Sequence, residues 1–186
     1  MSAFLVILII AIAVVLWAIG IYNGLIAKKN QVKNIRAGVD TQLKKRYDLI
    51  PNLVSTVKEY LTHEKETLTK VTALRSRAMA TNDKSEEFAL NNELTKLLGG
   101  INVAIEAYPQ LRANENVMHL QATLTETEEQ ISAARRAYNS SVMTYNNAIQ
   151  MFPSNIIANI FNFKDELFFK AEDSEKSAPN VGELFK

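Results

Sequence analysis

Every side chain from Ala3 to Ile19 is apolar, and Gly20, Ile21 and Tyr22 extend the run. At 1.5 Å per residue, ~20 residues make ~30 Å of helix, the thickness of a bilayer's hydrocarbon core. The first charged side chain is Lys28. A cleaved signal peptide would need a basic leader, a shorter core and a small-residue cleavage site. No Lys or Arg precedes this core, and Ala18-Ile19-Gly20 is a poor site. A buried helix of a soluble core would be unusual with this length and no polar face. Ala3 to Tyr22 is therefore predicted to be a transmembrane helix, and residues 1–22 an anchor.

Charge sets the expected orientation. The N-terminal flank has no Lys or Arg, whereas Lys28, Lys29, Lys33 and Arg36 follow the span. Basic flanks stay on the cytoplasmic side. The expectation is a cell-membrane protein, single-pass, with its N-terminus outside and its helical domain in the cytoplasm. Trp17 and Tyr22 suit interfacial positions.

The 186 residues allow about one domain. With 21 basic against 20 acidic side chains, nucleic acid is excluded as the main partner, because phosphate binding needs a basic excess. The absence of Cys excludes thiol catalysis, disulfides and thiolate metal sites. Few Gly and Pro leave little material for a turn-rich β fold.

Helical periodicity covers most of the remainder. In residues 114–151, Val117, Leu120, Leu124, Thr127, Ile131, Ala134, Tyr138, Val142, Tyr145, Ile149 and Phe152 recur three or four apart, one face of a long helix. Asn114 is a fitting N-cap, and Pro153 stops the helix. In residues 85–108, Leu90, Leu94, Leu98, Ile101, Ile105 and Tyr108 mark the apolar face. Asp83 with Glu86 resembles a capping box. Gly99-Gly100 costs about 1 kcal/mol per Gly against Ala, so close packing is expected there. A third helix spans 49–80, with Pro51 in its first turn, and a fourth spans 23–47, continuous with the anchor. Short connections at 47–48, 81–84 and 109–113 make neighbours antiparallel. The predicted fold is all-α: the transmembrane helix, then an antiparallel up-and-down four-helix bundle over 23–163, then a flexible tail over 164–186. A trimeric coiled coil would use the same seams, but tight turns favour folding back.

Chemical motifs fall short of their requirements. His63-Glu64 begins like a zincin helix, but Thr67 stands where the second His belongs. A di-iron bundle needs Glu-x-x-His on two helices, and Tyr60 and Asn116 occupy the Glu positions before His63 and His119. No P-loop, dinucleotide fingerprint or nucleophile with a base is present. No catalytic, cofactor or metal residues are assigned, no small-molecule substrate is expected, and the chain is not expected to be an enzyme.

Four further features stand out. Glu64 falls near the seam, either on the rim or paired with Lys33, Arg36 or Arg135. Lys44-Lys45-Arg46 reads as a solvated helix end complementing the dipole. Tyr138-Asn139 and Tyr145-Asn146 repeat seven apart, consistent with core tyrosines whose hydroxyls reach the rim. After Pro153, the residues Ile156, Ile157, Ile160, Phe161 and Phe163 are too apolar for a free loop and too few to span. They are candidates for a membrane-interface segment, with Lys164 and Lys170 toward anionic lipid, or for a lid on the bundle core.

The run from Gln42 through Lys44-Lys45-Arg46-Tyr47-Asp48-Leu49-Ile50-Pro51-Asn52 to Val54 resembles the signature of the bacterial LemA family. So do Ala107-Tyr108-Pro109, Ala113-Asn114, Leu120-Gln121, Thr127-Glu128, Ala134-Arg135, Tyr138-Asn139, Tyr145-Asn146 and Phe152-Pro153-Ser154-Asn155. Two departures are local: Ile35-Arg36-Ala37-Gly38 replaces a Trp-bearing segment, and the closing Pro179…Phe185 pattern is stretched. The resemblance implies an N-terminally anchored helical-bundle membrane protein and carries no catalytic residues. A magnetosome member of the family points, by analogy, to membrane organisation. The expected partners are the lipid bilayer and a protein partner or a second copy. Two function classes follow: an interaction or scaffold module, or an accessory subunit or regulator of a membrane enzyme such as a protease.

Overall fold

The computed structural model describes residues 3–169. Among them every regular element is helical: α1 (Ala3–Val57), α2 (Lys65–Ala80), α3 (Lys84–Glu106), α4 (Pro109–Arg112), α5 (Glu115–Gln150) and α6 (Ser154–Ile160). The chain divides into two compact units. Among the described residues, one holds 3–41 with 132–168. The other holds 42–131 and, among the described residues, Phe169.

The expected turn at 47–48 does not exist. α1 is a single helix of 55 residues with Pro51 inside it, and the chain first leaves it at 58–64. Pro51 has no N–H for the carbonyl of Tyr47, one turn earlier. That oxygen instead accepts a hydrogen bond from Arg75 Nε at 2.5 Å, so the helix continues past the proline with no buried acceptor left open. Residues 23–47 would span only ~37 Å against ~54 Å for α5, whereas the part of α1 after Tyr22 spans ~52 Å.

In the unit of residues 42–131, Leu43, Ile50, Leu53 and Val57 of α1 are buried, as are Leu68, Val71, Leu74 and Ala78 of α2. Phe88, Leu94, Leu98, Ile101 and Ile105 of α3 and Val117, Leu124 and Ile131 of α5 complete the core. α2 and α3 run antiparallel, since Lys70 pairs with Glu93 at 2.8 Å and Arg77 with Glu86 at 2.9 Å. Asp83 caps α3 by accepting from the Ser85 amide at 2.8 Å. The reciprocal half of the expected capping box is not formed, because the Glu86 carboxylate is taken by Thr81 and Arg77. Asn114 caps α5, accepting from the amides of Asn116 and Val117. The close packing expected at Gly99-Gly100 is also absent. No neighbouring atom lies within 4 Å of where a Cβ would stand on either glycine, and nothing in the structure explains the pair.

In the other unit, Leu25, Val32 and Val39 of α1 lie seven apart and are buried, as are Tyr138, Val142, Tyr145 and Ile149 of α5. Phe152, expected at the end of this seam, is 79% exposed, because α5 ends at Gln150 and the chain turns out of the helix.

Of the stretch 164–186 expected to be a flexible tail, residues 164–168 have no regular secondary structure, and side chains of α5 hydrogen-bond to their backbone. Phe169 is buried and stacks on Phe88 of α3, ring centroids 4.0 Å apart. Residues 170–186, Lys170 included, lie outside the described residues.

Candidate functional site

α1 is the one described helix long and apolar enough to cross a membrane, and none of its most apolar 18-residue window is buried. Phe4, Ile7, Ile10, Leu16, Trp17 and Ile19 all face outward. A helix in the core of a soluble protein would bury these residues. The run ends at Tyr22, whose ring meets Phe161 at 4.6 Å and Phe163 edge-on at 5.9 Å between centroids. Lys29 Nζ stands 5.6 Å above the Phe163 ring.

Local backbone chemistry brings Phe161 and Phe163 there. α6 ends in a Schellman-type cap: Phe163 N donates to Ala158 O at 2.9 Å, and Asn162 N donates to Asn159 O at 3.2 Å. The cap needs a residue in the left-handed region, and Asn162 fills it with φ 55°. The chain thus reverses between Phe161 and Phe163, and both rings reach Tyr22. Of the five residues singled out after Pro153, Ile157 is buried, Phe163 is half-buried, and Ile156, Ile160 and Phe161 are exposed.

The repeated Tyr-Asn pairs are where the periodicity placed them, but their polar ends have a definite task. Tyr138 Oη donates to Leu167 O and Tyr145 Oη to Lys164 O, each at 2.9 Å. Asn146 grips Glu166 on both backbone groups, Nδ2 donating to its carbonyl at 2.9 Å and Oδ1 accepting from its amide at 3.0 Å. Burial raises the Tyr145 phenol above its ordinary pKa, helped by the nearby Glu166 and Asp165 carboxylates.

Arg46 is the largest departure from the sequence reading. α1 does not end near it, so it is no solvated helix terminus. Its side chain is fully buried. Nη1 donates to Thr95 Oγ1 at 2.8 Å and to Glu128 Oε1 at 2.9 Å, and Nη2 donates to Asn91 Oδ1. Tyr47 Oη donates to the same Asn91 oxygen at 2.8 Å, and Thr95 Oγ1 donates to Glu128 Oε2 at 3.0 Å. Burial pushes the Tyr47 phenol up, against the lowering effect of Asn91 and Arg46. Arg46, Asn91 and Glu128 thus tie α1, α3 and α5 together through one buried charge. Glu64 is half-buried, and its neighbour is the Tyr108 hydroxyl, at 3.5 Å.

Between the end of α1 and α2 lies an open groove of about 840 Å³, lined by Val54, Lys58, Leu68 and Thr72 among others. Among the described residues no group of three or more His, Cys, Asp or Glu is placed to hold a metal ion.

The LemA family profile matches residues 36–182. The chain belongs to the LemA family. It is 25% identical over 167 residues to Protein LemA of Metamycoplasma hominis, covering 89% of this chain and 76% of that protein. It is also 29% identical over 89 residues to Magnetosome protein MamQ 2 of Paramagnetospirillum magneticum, and 32% identical over 72 residues to Magnetosome protein MamQ of Magnetospirillum gryphiswaldense. These two alignments cover 48% and 39% of this chain, and a third or less of the magnetosome proteins. The LemA match takes in Arg46, Asn91, Glu128, Tyr138, Tyr145 and Asn146, whereas the apolar run at 3–22 lies outside it.

Proposed function

We propose that this LemA-family chain is a single-pass cell-membrane protein, N-terminus outside, whose helical part serves in the cytoplasm as an interaction or scaffold module in membrane organisation. The observation that carries the reading is the unburied apolar run of α1 over residues 3–19, which only hydrocarbon or another apolar surface would cover. Lys28, Lys29, Lys33 and Arg36, which follow the run, support the orientation. The relatives named as magnetosome proteins support a role at a membrane. An antiparallel four-helix bundle is the arrangement this reading gives the helical part, and α2 against α3 fits it. Neither the LemA nor the MamQ name denotes an enzyme, and the reading assigns no reaction.

The topology is tested by protease added to intact cells, which should spare the helical part until the membrane is opened; digestion from outside refutes the orientation. Crosslinking in native membranes tests the role. Capture of a second copy or a non-enzymatic partner fits a scaffold, while a stable complex with a membrane enzyme such as a protease replaces it with an accessory-subunit reading.

A further inference from the structure

The turn from α5 into α6 has two unlike faces. Ile157 and Ala158 point into the core, while Ile156, Ile160 and Phe161 are 50%, 67% and 56% exposed. Met151 and Phe152, just before α6, are more than three-fifths exposed. We propose that this outer face inserts into the interfacial layer of the bilayer that residues 3–22 span, giving the protein a second hydrophobic contact with the same leaflet.

Position is the first argument. Tyr22 ends the apolar run, ~30 Å of helix from Ala3, where a spanning helix leaves the hydrocarbon. Tyr22 is also the residue that packs on Phe161 and Phe163. Phe161 therefore stands at the height of the bilayer boundary whenever α1 spans, and the exposed patch continues the apolar surface of the anchor. Form is the second argument. α6 has seven residues, too short to cross a bilayer and suited to lying in its surface. Charge is the third. Lys29 sits over the Phe163 ring, and Lys28 precedes it, so ammonium groups stand at headgroup height beside the patch. Lid and interfacial segment, alternatives on the sequence, are then opposite faces of one short helix.

The inference rests on the single-pass reading, and the test separates the two. Full-length protein is reconstituted in phosphatidylcholine–phosphatidylglycerol vesicles containing lipids brominated near the headgroup or deep in the chain. Trp17 is the only native indole and reports the anchor. The W17F/I160W variant carries a single indole on the outer face of α6, at an exposed position where substitution leaves the fold intact. Brominated lipid should quench both indoles, and the α6 indole should lose more emission to shallow bromine than to deep. Quenching of Trp17 with an α6 indole open to aqueous acrylamide overturns the proposal and leaves the anchor standing. An α6 indole shielded from both quenchers means that a second copy or a protein partner covers the face, which also overturns it. If Trp17 itself is not quenched, the anchor reading falls and this inference with it.

Discussion

Arg75, on α2, donates its Nε hydrogen to the carbonyl oxygen of Tyr47, the acceptor that Pro51 deprives of its helical partner. A proline in a helix interior costs about 3 kcal/mol, partly from this lost bond. The guanidinium replaces the missing donor from a neighbouring helix, and α1 runs on to Val57. Arg75→Met should therefore lower stability by about 1–3 kcal/mol, the cost of stranding a buried acceptor. In a Pro51→Ala background the restored backbone amide at that position serves the Tyr47 carbonyl, and the same change should cost clearly less. Urea unfolding of the four proteins in detergent measures the coupling; equal losses in both backgrounds would refute the account.

The Arg46–Glu128 pair gives a second cycle. Arg46 is fully buried and Glu128 a quarter exposed. Glu128→Leu leaves a guanidinium without its counter-charge and should cost about 3–5 kcal/mol. Arg46→Met together with Glu128→Leu removes both charges and should recover much of that loss. If the double variant is as unstable as the sum of the single ones, the charge is not what Glu128 compensates.

These two sites show where the sequence was legible and where it was not. The apolar periodicity placed most core residues, since helical spacing alone decides which face is covered. Asn114 and Asp83 were readable as caps for the same local reason. Pro51 and Arg46 were not, because their environment is supplied by residues far along the chain. A signal was present all the same: Asn91 falls on the spacing of Leu94 and Leu98, and Arg46 on that of Leu43 and Ile50. Polar side chains in register with a seam indicate a buried network when both helices carry one. What holds the segment at 164–168 is its backbone, which sequence patterns do not report.

The buried phenol of Tyr47 makes an alkaline prediction. Its pKa lies above the ordinary value of about 10 because burial disfavours the phenolate. Below pH about 10 the phenol is neutral in both states and its contribution is complete. As pH rises the unfolded chain ionises first, so stability falls until the folded Tyr47 also titrates. Tyr47→Phe should lower stability near neutral pH, through loss of the bond to Asn91, yet flatten the alkaline decline. Unfolding midpoints against pH, with phenolate absorbance, check both; an equally steep decline would count against it.

Asn162 should tolerate Gly and reject β-branched residues. Its φ of 55° is open to Gly but costs an ordinary L-residue about 1–2 kcal/mol. Asn162→Gly should leave the thermal midpoint unchanged or raised, and Asn162→Val should lower it. In the Val variant the reversal after α6 is disfavoured, so Phe161 and Phe163 should lose their contacts with Tyr22. Ring-current shifts of the Tyr22 resonances report this, and a Val variant with native shifts would dismiss the role given to the cap.

Asn146 presents to Glu166 the donor and acceptor that a neighbouring strand would present, from one amide on the face of α5. The backbone of 164–168 has no sheet or helix of its own, so its order depends on such side chains. Asn146→Leu removes both bonds at once, worth about 1 kcal/mol each, without touching the helix ladder. The expected result is faster hydrogen exchange at the Glu166 amide, with the core amides of α5 unchanged. Tyr138→Phe takes away the donor to the Leu167 carbonyl and should leave the Glu166 amide nearly as protected as before. If Asn146→Leu leaves Glu166 exchange unaltered, the segment is held instead by the two tyrosine hydroxyls, and Tyr138→Phe combined with Tyr145→Phe should then release it.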